Sequence, residues 1–317
     1  MRIVITDCDH DTIDEERAVA AAHGVDLELA QCRSEDDVIA AAEHADGIVV
    51  QYAPVAEKVL AALPGLRAIG RYGVGVDTVD VAAATAHGVA VCNVPDYGTE
   101  DVSDHAIALA LSLVRGVTQL DRETRKGAYQ LSSVKPLHRF SSLIFGTVGL
   151  GRIGTATARK AAALGFSVIG HDPRPDATPT GVDVVSFEEL LERADIISLH
   201  VPLNEATAHL IDDAALRRLT PGAMLVNTCR GGVVDTHALV RAIREGRVKS
   251  AALDVFEEEP LPLTSELLQL PSVVVTPHAA WYSEESAAEL KRRAIENVVE
   301  VCAGRTPRDI VNPEVMK

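Results

Sequence analysis

Aromatic residues are scarce in this chain. They make up 3% of its 317 residues, with one tryptophan among them. Cores built without aromatics must be Ala, Val, Leu and Ile, which suits helices packed on both faces of parallel sheets. Positive charge is also short: 30 Lys and Arg stand against 46 acids, a formal net charge of -16. Nucleic acid and anionic membrane surfaces need the opposite potential, so neither is an expected partner. A small anion needs only a local cation and stays open. Cysteines are few and scattered (Cys8, Cys32, Cys92, Cys229, Cys302), with no Cys-x-x-Cys pair. This argues against a metal site and for reduced thiols in a cytoplasmic protein. No apolar run is long enough to cross a bilayer, and Met1 to Asp7 shows no signal-peptide pattern. What is present is length for two domains and a hydrophobic content of 47%.

Two blocks alternate short apolar strands with alanine-rich helices, the pattern of a doubly wound α/β fold. In the first, strands are expected at 2–6, 25–30, 47–51, 68–70 and 90–92, and helices at 15–22, 35–43, 56–62 and 81–86. A loop with Pro95 and Gly98 follows, then one long helix over 100–126 with Gly116 as a weak point. The second block predicts six parallel strands, at 143–148, 167–170, 196–200, 224–227, 250–254 and 273–276. A last amphipathic helix over 284–302 repeats apolar residues at helical spacing. The preferred topology leaves the first domain, builds the second and returns: 1–99 with 285–317, and 100–284.

The most informative stretch is Gly149-Leu150-Gly151-Arg152-Ile153-Gly154. An apolar strand enters it, a helix leaves it, and the next strand ends at His171-Asp172. Gly149 permits a tight turn, Gly151 lets a pyrophosphate approach the backbone, and Gly154 lets helix and strand pack closely. The helix start offers unpaired N–H groups to phosphates, and Asp172 can accept from a ribose diol. Strand, glycine triplet, helix, strand and acid in that order predict dinucleotide binding. Asp172 would repel a 2′-phosphate although Arg174 lies near, so NAD is preferred to NADP.

Three clusters stand at later strand ends of the second block, where open α/β sheets place ligands. They are Asn227-Thr228-Cys229-Arg230-Gly231-Gly232, Leu253-Asp254-Val255-Phe256-Glu257-Glu258-Glu259-Pro260 and Thr276-Pro277-His278-Ala279-Ala280-Trp281. A guanidinium can bind a carboxylate bidentately, a histidine can exchange a proton near neutral pH, and a carboxylate can favour the charged imidazole. That set suits redox chemistry on a carbon beside a carboxylate. Cys229 has no catalytic partner pattern and reads as a small buried residue. His105 on the long helix reads as a core or interface residue, and His200 as structural.

These motifs, with Gly73-Val74-Gly75-Val76-Asp77 and Val91-Cys92-Asn93-Val94-Pro95, make the chain resemble the D-2-hydroxyacid dehydrogenase family over nearly its whole length. The Arg71–Asp77 loop and Trp281-Tyr282 look most like its C-terminal-binding-protein and phosphoglycerate-dehydrogenase branch. The resemblance implies a Rossmann NAD domain inserted into a flavodoxin-like substrate domain. It also implies an NAD-dependent oxidoreductase acting on a D-2-hydroxyacid or 2-oxoacid. Carried over residue by residue, Arg230 binds the substrate carboxylate, His278 is the acid/base, and Glu259 stabilises its imidazolium. Asp254 would hold the nicotinamide carboxamide. Thr99, Pro202, Thr207 and Thr228 would line the cofactor with the glycine loop. Val74, Gly75, Tyr52 and Trp281 would meet substrate, with Tyr72 also shaping the pocket. The family's two-fold dimer is expected too, through an apolar stripe of Ala106, Leu109, Ala110 and Leu113. Two other readings share the scaffold: an NAD(H)-sensing binding protein and a phosphite-type dehydrogenase.

Overall fold

The computed structural model describes residues 1–174 and 181–316. The chain divides into two compact units, Met1–Gly98 with Ser283–Lys317, and Thr99–Tyr282.

The first unit carries β1 (Arg2–Ile5), β2 (Asp26–Leu29), β3 (Gly47–Val50), β4 (Ala68–Arg71) and β5 (Ala90–Cys92), all parallel, in the order β2-β1-β3-β4-β5. This is the flavodoxin-like winding. Helices α1 (Asp14–His23), α2 (Glu35–Ala41), α3 (Glu57–Ala62) and α4 (Val81–Ala86) make the crossovers. The C-terminal helix, Glu284–Cys302, returns to this unit and lies against β3, β4 and α1. It starts where Ser283 and Ser286 cap each other's backbone N–H groups. Its buried Leu290, Ala294 and Val298 complete the sheet's cover. Burial of each such Leu or Val side chain contributes about 1.5–3 kcal/mol. The same helix hides Arg293, whose guanidinium meets Glu289 at 2.6 Å, Asp96 at 2.6 Å and Asp309 at 2.7 Å. A buried guanidinium is tolerable only with such compensation.

The second unit opens with α5 (Thr99–Arg115) and α6 (Val117–Thr124). Its sheet holds β6 (Ile144–Val148), β7 (Ser167–His171), β8 (Asp183–Val184), β9 (Ile196–Leu199), β10 (Ala223–Asn227), β11 (Val248–Leu253) and β12 (Val273–Val275). The order is β12-β11-β10-β9-β6-β7-β8, again parallel throughout. Strand order reverses between β6 and β9, the switch point at which such sheets bind dinucleotides. Helices α7 (Arg152–Ala163), α8 (Phe187–Arg193), α9 (Asp213–Arg218) and α10 (Thr236–Arg244) complete the unit. On one face of its sheet Phe166 stacks on Phe140 at 4.8 Å and tilts against Phe145 at 5.7 Å.

Four expectations need correction. The long helix breaks at Gly116, whose left-handed φ of 62° ends α5 and starts α6. The second sheet has a seventh strand, β8, which is two residues long and exposed, too short to stand out as a strand. The stripe of Ala106, Leu109, Ala110 and Leu113 is not available to a partner, because it packs against the unit's own sheet and α7. Tyr72 is 2% exposed and gives its hydroxyl to Glu16 at 2.7 Å, so it belongs to the interior of the first unit rather than to a pocket wall.

Candidate active site

The glycine loop joins β6 to α7. Gly149 has φ +91°, and a Cβ there would lie 2.5 Å from the His200 carbonyl. A Cβ on Gly154 would lie 1.9 Å from the Gly149 carbonyl, so the helix packs down on the turn only because both are glycine. Gly151 differs. It caps α7 without a side-chain hydrogen bond, and among the described residues a Cβ there would meet nothing closer than an Arg174 nitrogen at 3.9 Å. In the first turn of α7 Arg152 is exposed and Ile153 half-buried. At the tip of β7, Asp172 accepts from the Leu150 N–H at 2.8 Å and from the Arg174 guanidinium at 2.9 and 2.8 Å. The Arg174 bond, helped by two backbone N–H groups, holds this carboxyl well below the usual carboxylate range despite partial desolvation.

Past the switch point, Thr207 Oγ1 donates to the Pro202 carbonyl at 2.6 Å and closes the loop after β9. His200, at that loop's start, is neutral. Burial pushes its pKa down to about 3, and its ring pairs with Ser198 at 2.8 Å. Two hydroxyls are conspicuous: Thr99 Oγ1 at the start of α5 and Thr228 Oγ1 beyond β10 are buried without a hydrogen-bond partner among the described residues. Buried hydroxyls without partners are costly, so both have capacity that a polar ligand can use.

The three later clusters come together at the ends of β10, β11 and β12. His278 Nδ1 lies 2.7 Å from Glu259 Oε2. Glu259 Oε1 accepts from the Phe256 N–H at 2.9 Å, which fixes the carboxylate. Burial raises the Glu259 pKa, but the His278 and Phe256 hydrogen bonds and the charges of His278 and Arg230 outweigh it, and the net shift is downward. The Arg230 charge thus reaches the couple. Arg230 Nη1 donates to the Cys229 carbonyl at 2.7 Å. Its loop can approach the acidic loop because Gly231 has no side chain: a Cβ there would sit 1.8 Å from the Phe256 carbonyl carbon. The neighbouring Glu257 faces elsewhere. It accepts from Thr236 N at 3.0 Å and pairs with His209 at 2.6 Å, a second His–Glu couple that the sequence did not single out. Cys229 is a structural thiol whose Sγ donates to Asn227 Oδ1 at 3.1 Å and whose pKa burial pushes up.

Asp254 has a different surrounding from the ligand contact that the resemblance implies. Its side chain is fully buried, and it accepts from Thr276 Oγ1 at 2.5 Å and from the N–H groups of Ala279 and Ala280, each at 2.9 Å. Its carboxylate serves the loop that carries His278. Trp281 is half-buried at the end of that loop, edge-on to Tyr282 with 5.5 Å between ring centres. In the first unit, Tyr52 is exposed beyond β3 with its hydroxyl 3.2 Å from Asp9. Exposed Val74 and half-buried Gly75 lie in the loop after β4, where Asn93 Nδ2 donates to the Val74 carbonyl at 2.6 Å. A cavity of about 250 Å³ among Ser112, Val134, Lys249 and Ser250 opens beside the starts of β11 and β12, whereas the clusters lie past the ends of those strands.

Residues 107–280 match the family model for the D-isomer specific 2-hydroxyacid dehydrogenase, NAD binding domain. The chain belongs to this family. The dehydrogenase is 41% identical over 271 residues to the glyoxylate reductase of Korarchaeum cryptofilum, covering 83% of this chain and 81% of that one. It is 41% identical over 279 residues to the D-3-phosphoglycerate dehydrogenase of Mycobacterium leprae, 87% of this chain and 52% of the relative, so it spans about half of that protein. Among solved structures, the TT0316 protein from Thermus thermophilus superposes with a TM-score of 0.89 at 34% identity, over 98% of this chain and 100% of that one. The dehydrogenase is accordingly an NAD-dependent oxidoreductase of the 2-hydroxyacid class. Its own residues fit the dinucleotide: an uncapped helix start, an acid at the tip of β7, and two buried hydroxyls without partners. Among the described residues, no helix is long and apolar enough to cross a membrane, and no acidic, His or Cys group could hold a metal.

Proposed function

We propose that this dehydrogenase interconverts a small D-2-hydroxyacid and its 2-oxoacid, with His278, Glu259 and Arg230 as its working residues. The observation that carries the reading is the His278–Glu259 couple at 2.7 Å, within reach of the Arg230 charge. In the reducing direction Arg230 binds the substrate carboxylate, and its positive charge draws electron density toward the carbonyl oxygen. His278 gives a proton to that oxygen as it becomes a hydroxyl, and Glu259 holds the imidazole in one tautomer and stabilises its charged form. Bound NADH supplies the hydride. Gly149, Gly151, Arg152, Ile153 and Gly154 would cradle the pyrophosphate, Asp172 the ribose diol, and Thr99, Pro202, Thr207 and Thr228 the remaining length. Tyr52, Val74, Gly75 and Trp281 would contact substrate.

The occupied Asp172 carboxylate supports NAD over NADP, because a 2′-phosphate would face a charge that stays ionised. Five free thiols suit a reducing, cytoplasmic setting. Val117, Tyr129 and Leu131 are 56%, 97% and 54% exposed on α6 and the segment after it, which supports pairing of two copies there in place of the buried stripe. A monomeric mass by light scattering refutes that pairing.

The test is NADH oxidation with glyoxylate, pyruvate and other 2-oxoacids, and NAD reduction with D-3-phosphoglycerate. His278→Ala should abolish turnover and leave NADH binding, followed by fluorescence, within about threefold of the parent. Full turnover in that variant, or no turnover of any 2-oxoacid by the parent, overturns the reading.

A further inference from the structure

His278 has a left-handed backbone, with φ +53°. Residues other than glycine occupy that region at a cost, and they stay there only when their surroundings over-determine them. Here one residue, Asp254, supplies three of the contacts, beside a 3.1 Å bond from the His278 N–H to the Thr276 carbonyl. The His278 N–H donates to the Asp254 carbonyl at 2.8 Å, and the next two N–H groups, of Ala279 and Ala280, donate to the two oxygens of its carboxylate. Three successive backbone donors on one residue wrap the loop around Asp254. Asp254 in turn is a carboxylate with no solvent exposure. A group so placed needs hydrogen bonds to its oxygens.

Helix α5 supplies a group for this purpose. His105 Nε2 lies 3.1 Å from Thr276 Oγ1 and 3.6 Å from Asp254 Oδ1. The Thr276 hydroxyl gives its proton to Asp254 at 2.5 Å. Its remaining capacity is as an acceptor, so His105 is the donor through Nε2–H. The result is a directed chain, His105 to Thr276 to Asp254, in which each bond polarises the next. His105 is a quarter exposed, on the first turns of a helix that packs on β10 and β11 through Ala106, Leu109 and Ala110. Its main chain is therefore anchored independently of the loop it touches.

We propose that His105 is a positioning residue for the reaction: through Thr276 it orients the buried Asp254 carboxylate, and Asp254 holds His278 in the left-handed geometry that keeps its ring on Glu259. The proposal rests on His278 being the acid/base group. His105 touches neither reactant and moves no proton in the reaction. Misplacement of a reacting group by about 1 Å is enough to cost on the order of 100-fold in rate.

Two variants test it, with NADH and whichever 2-oxoacid the parent reduces. His105→Leu keeps bulk and removes the donor; His105→Gln restores an N–H donor at nearly the same reach. The expected result is a 10- to 100-fold fall in kcat for the leucine variant, with NADH affinity within about threefold of the parent. The glutamine variant should recover to within about fivefold. The imidazole NMR signal of His278, read without cofactor, should move in the leucine variant and return in the glutamine one. Leucine-variant kcat within twofold of the parent overturns the proposal, as does an equal loss in both variants with the His278 signal unmoved. His278→Ala separates the two ideas. If it is inactive while His105→Leu is fully active, only the role of His105 falls. If it turns over normally, the acid/base assignment itself falls.

Discussion

Gly231→Ala is the sharpest probe of how the active loops are assembled. The added methyl would stand 1.8 Å from the Phe256 carbonyl carbon, 1.9 Å from its oxygen and 2.4 Å from Glu257 N. Ordinary contact begins near 3.4 Å, so the Arg230–Gly231 turn and the Phe256–Glu257 backbone must part by about 1.6 Å, the difference between 3.4 and 1.8. The obstacle is backbone on both sides, so no rotamer change relieves it. Overpacking of this kind costs about 1–3 kcal/mol of stability, and a backbone clash sits at the upper end. The catalytic effect should be larger than the stability effect. Arg230 precedes the substituted residue, and the Phe256 N–H holds Glu259 at 2.9 Å, so the shift separates guanidinium from imidazole–carboxylate. A displacement above 1 Å predicts a fall of at least about 100-fold in kcat/KM. The assay is NADH oxidation on the preferred 2-oxoacid, beside thermal unfolding and NADH fluorescence titration. Gly151→Ala is the control: among the described residues its methyl meets only an Arg174 nitrogen, at 3.9 Å, so unfolding should be unchanged while KM for NADH rises. A Gly231→Ala enzyme within threefold of the parent kcat/KM would refute the reasoning, and equal NADH affinity in Gly151→Ala would refute the placement of the pyrophosphate.

Glu259→Gln keeps an acceptor for His278 but removes the charge. Unit charges about 4 Å apart at an effective dielectric near 20 attract by about 4 kcal/mol. Both side chains are about one-third exposed, which discounts this to roughly 1–2 kcal/mol, so a loss near 10-fold in kcat/KM is expected. A loss below twofold contradicts the pairing. Asp172 gives a pH test on stability. Its carboxyl is held below its unfolded value by Arg174, so its contribution is complete above the unfolded value of about 3.9 and fades as pH falls through the folded one. The parent should therefore exceed Asp172→Asn in urea stability by about 1 kcal/mol from pH 7 to pH 5, and the gap should close toward pH 2. A gap that widens on acidification refutes the assignment.

Local chemistry made much of this chain legible. The Gly149–Gly154 turn could be read because its glycines answer to contacts inside a single βαβ unit. The last helix runs over the expected residues 284–302 because Ser283 and Ser286 cap it and its apolar face repeats. Strand β8 is hard to read because it pairs over only two residues, and the break at Gly116 because a single left-handed residue decides it. The choice of Glu259 within an acidic run could be made only by register, and the structure separates two of the three acids by partner: Glu259 meets His278, Glu257 meets His209.

By itself the sequence determined the fold class, the dinucleotide turn and the kinds of group available, since periodicity, glycine placement and residue type are local properties. Tertiary structure alone decided which groups meet. It turned the α5 stripe inward, committed Asp254 to the loop of His278, and brought His105 to that carboxylate from 149 positions away along the chain (254 minus 105). Distances between residues far apart in the chain are set by how helices and strands pack, and no pattern along the chain encodes them.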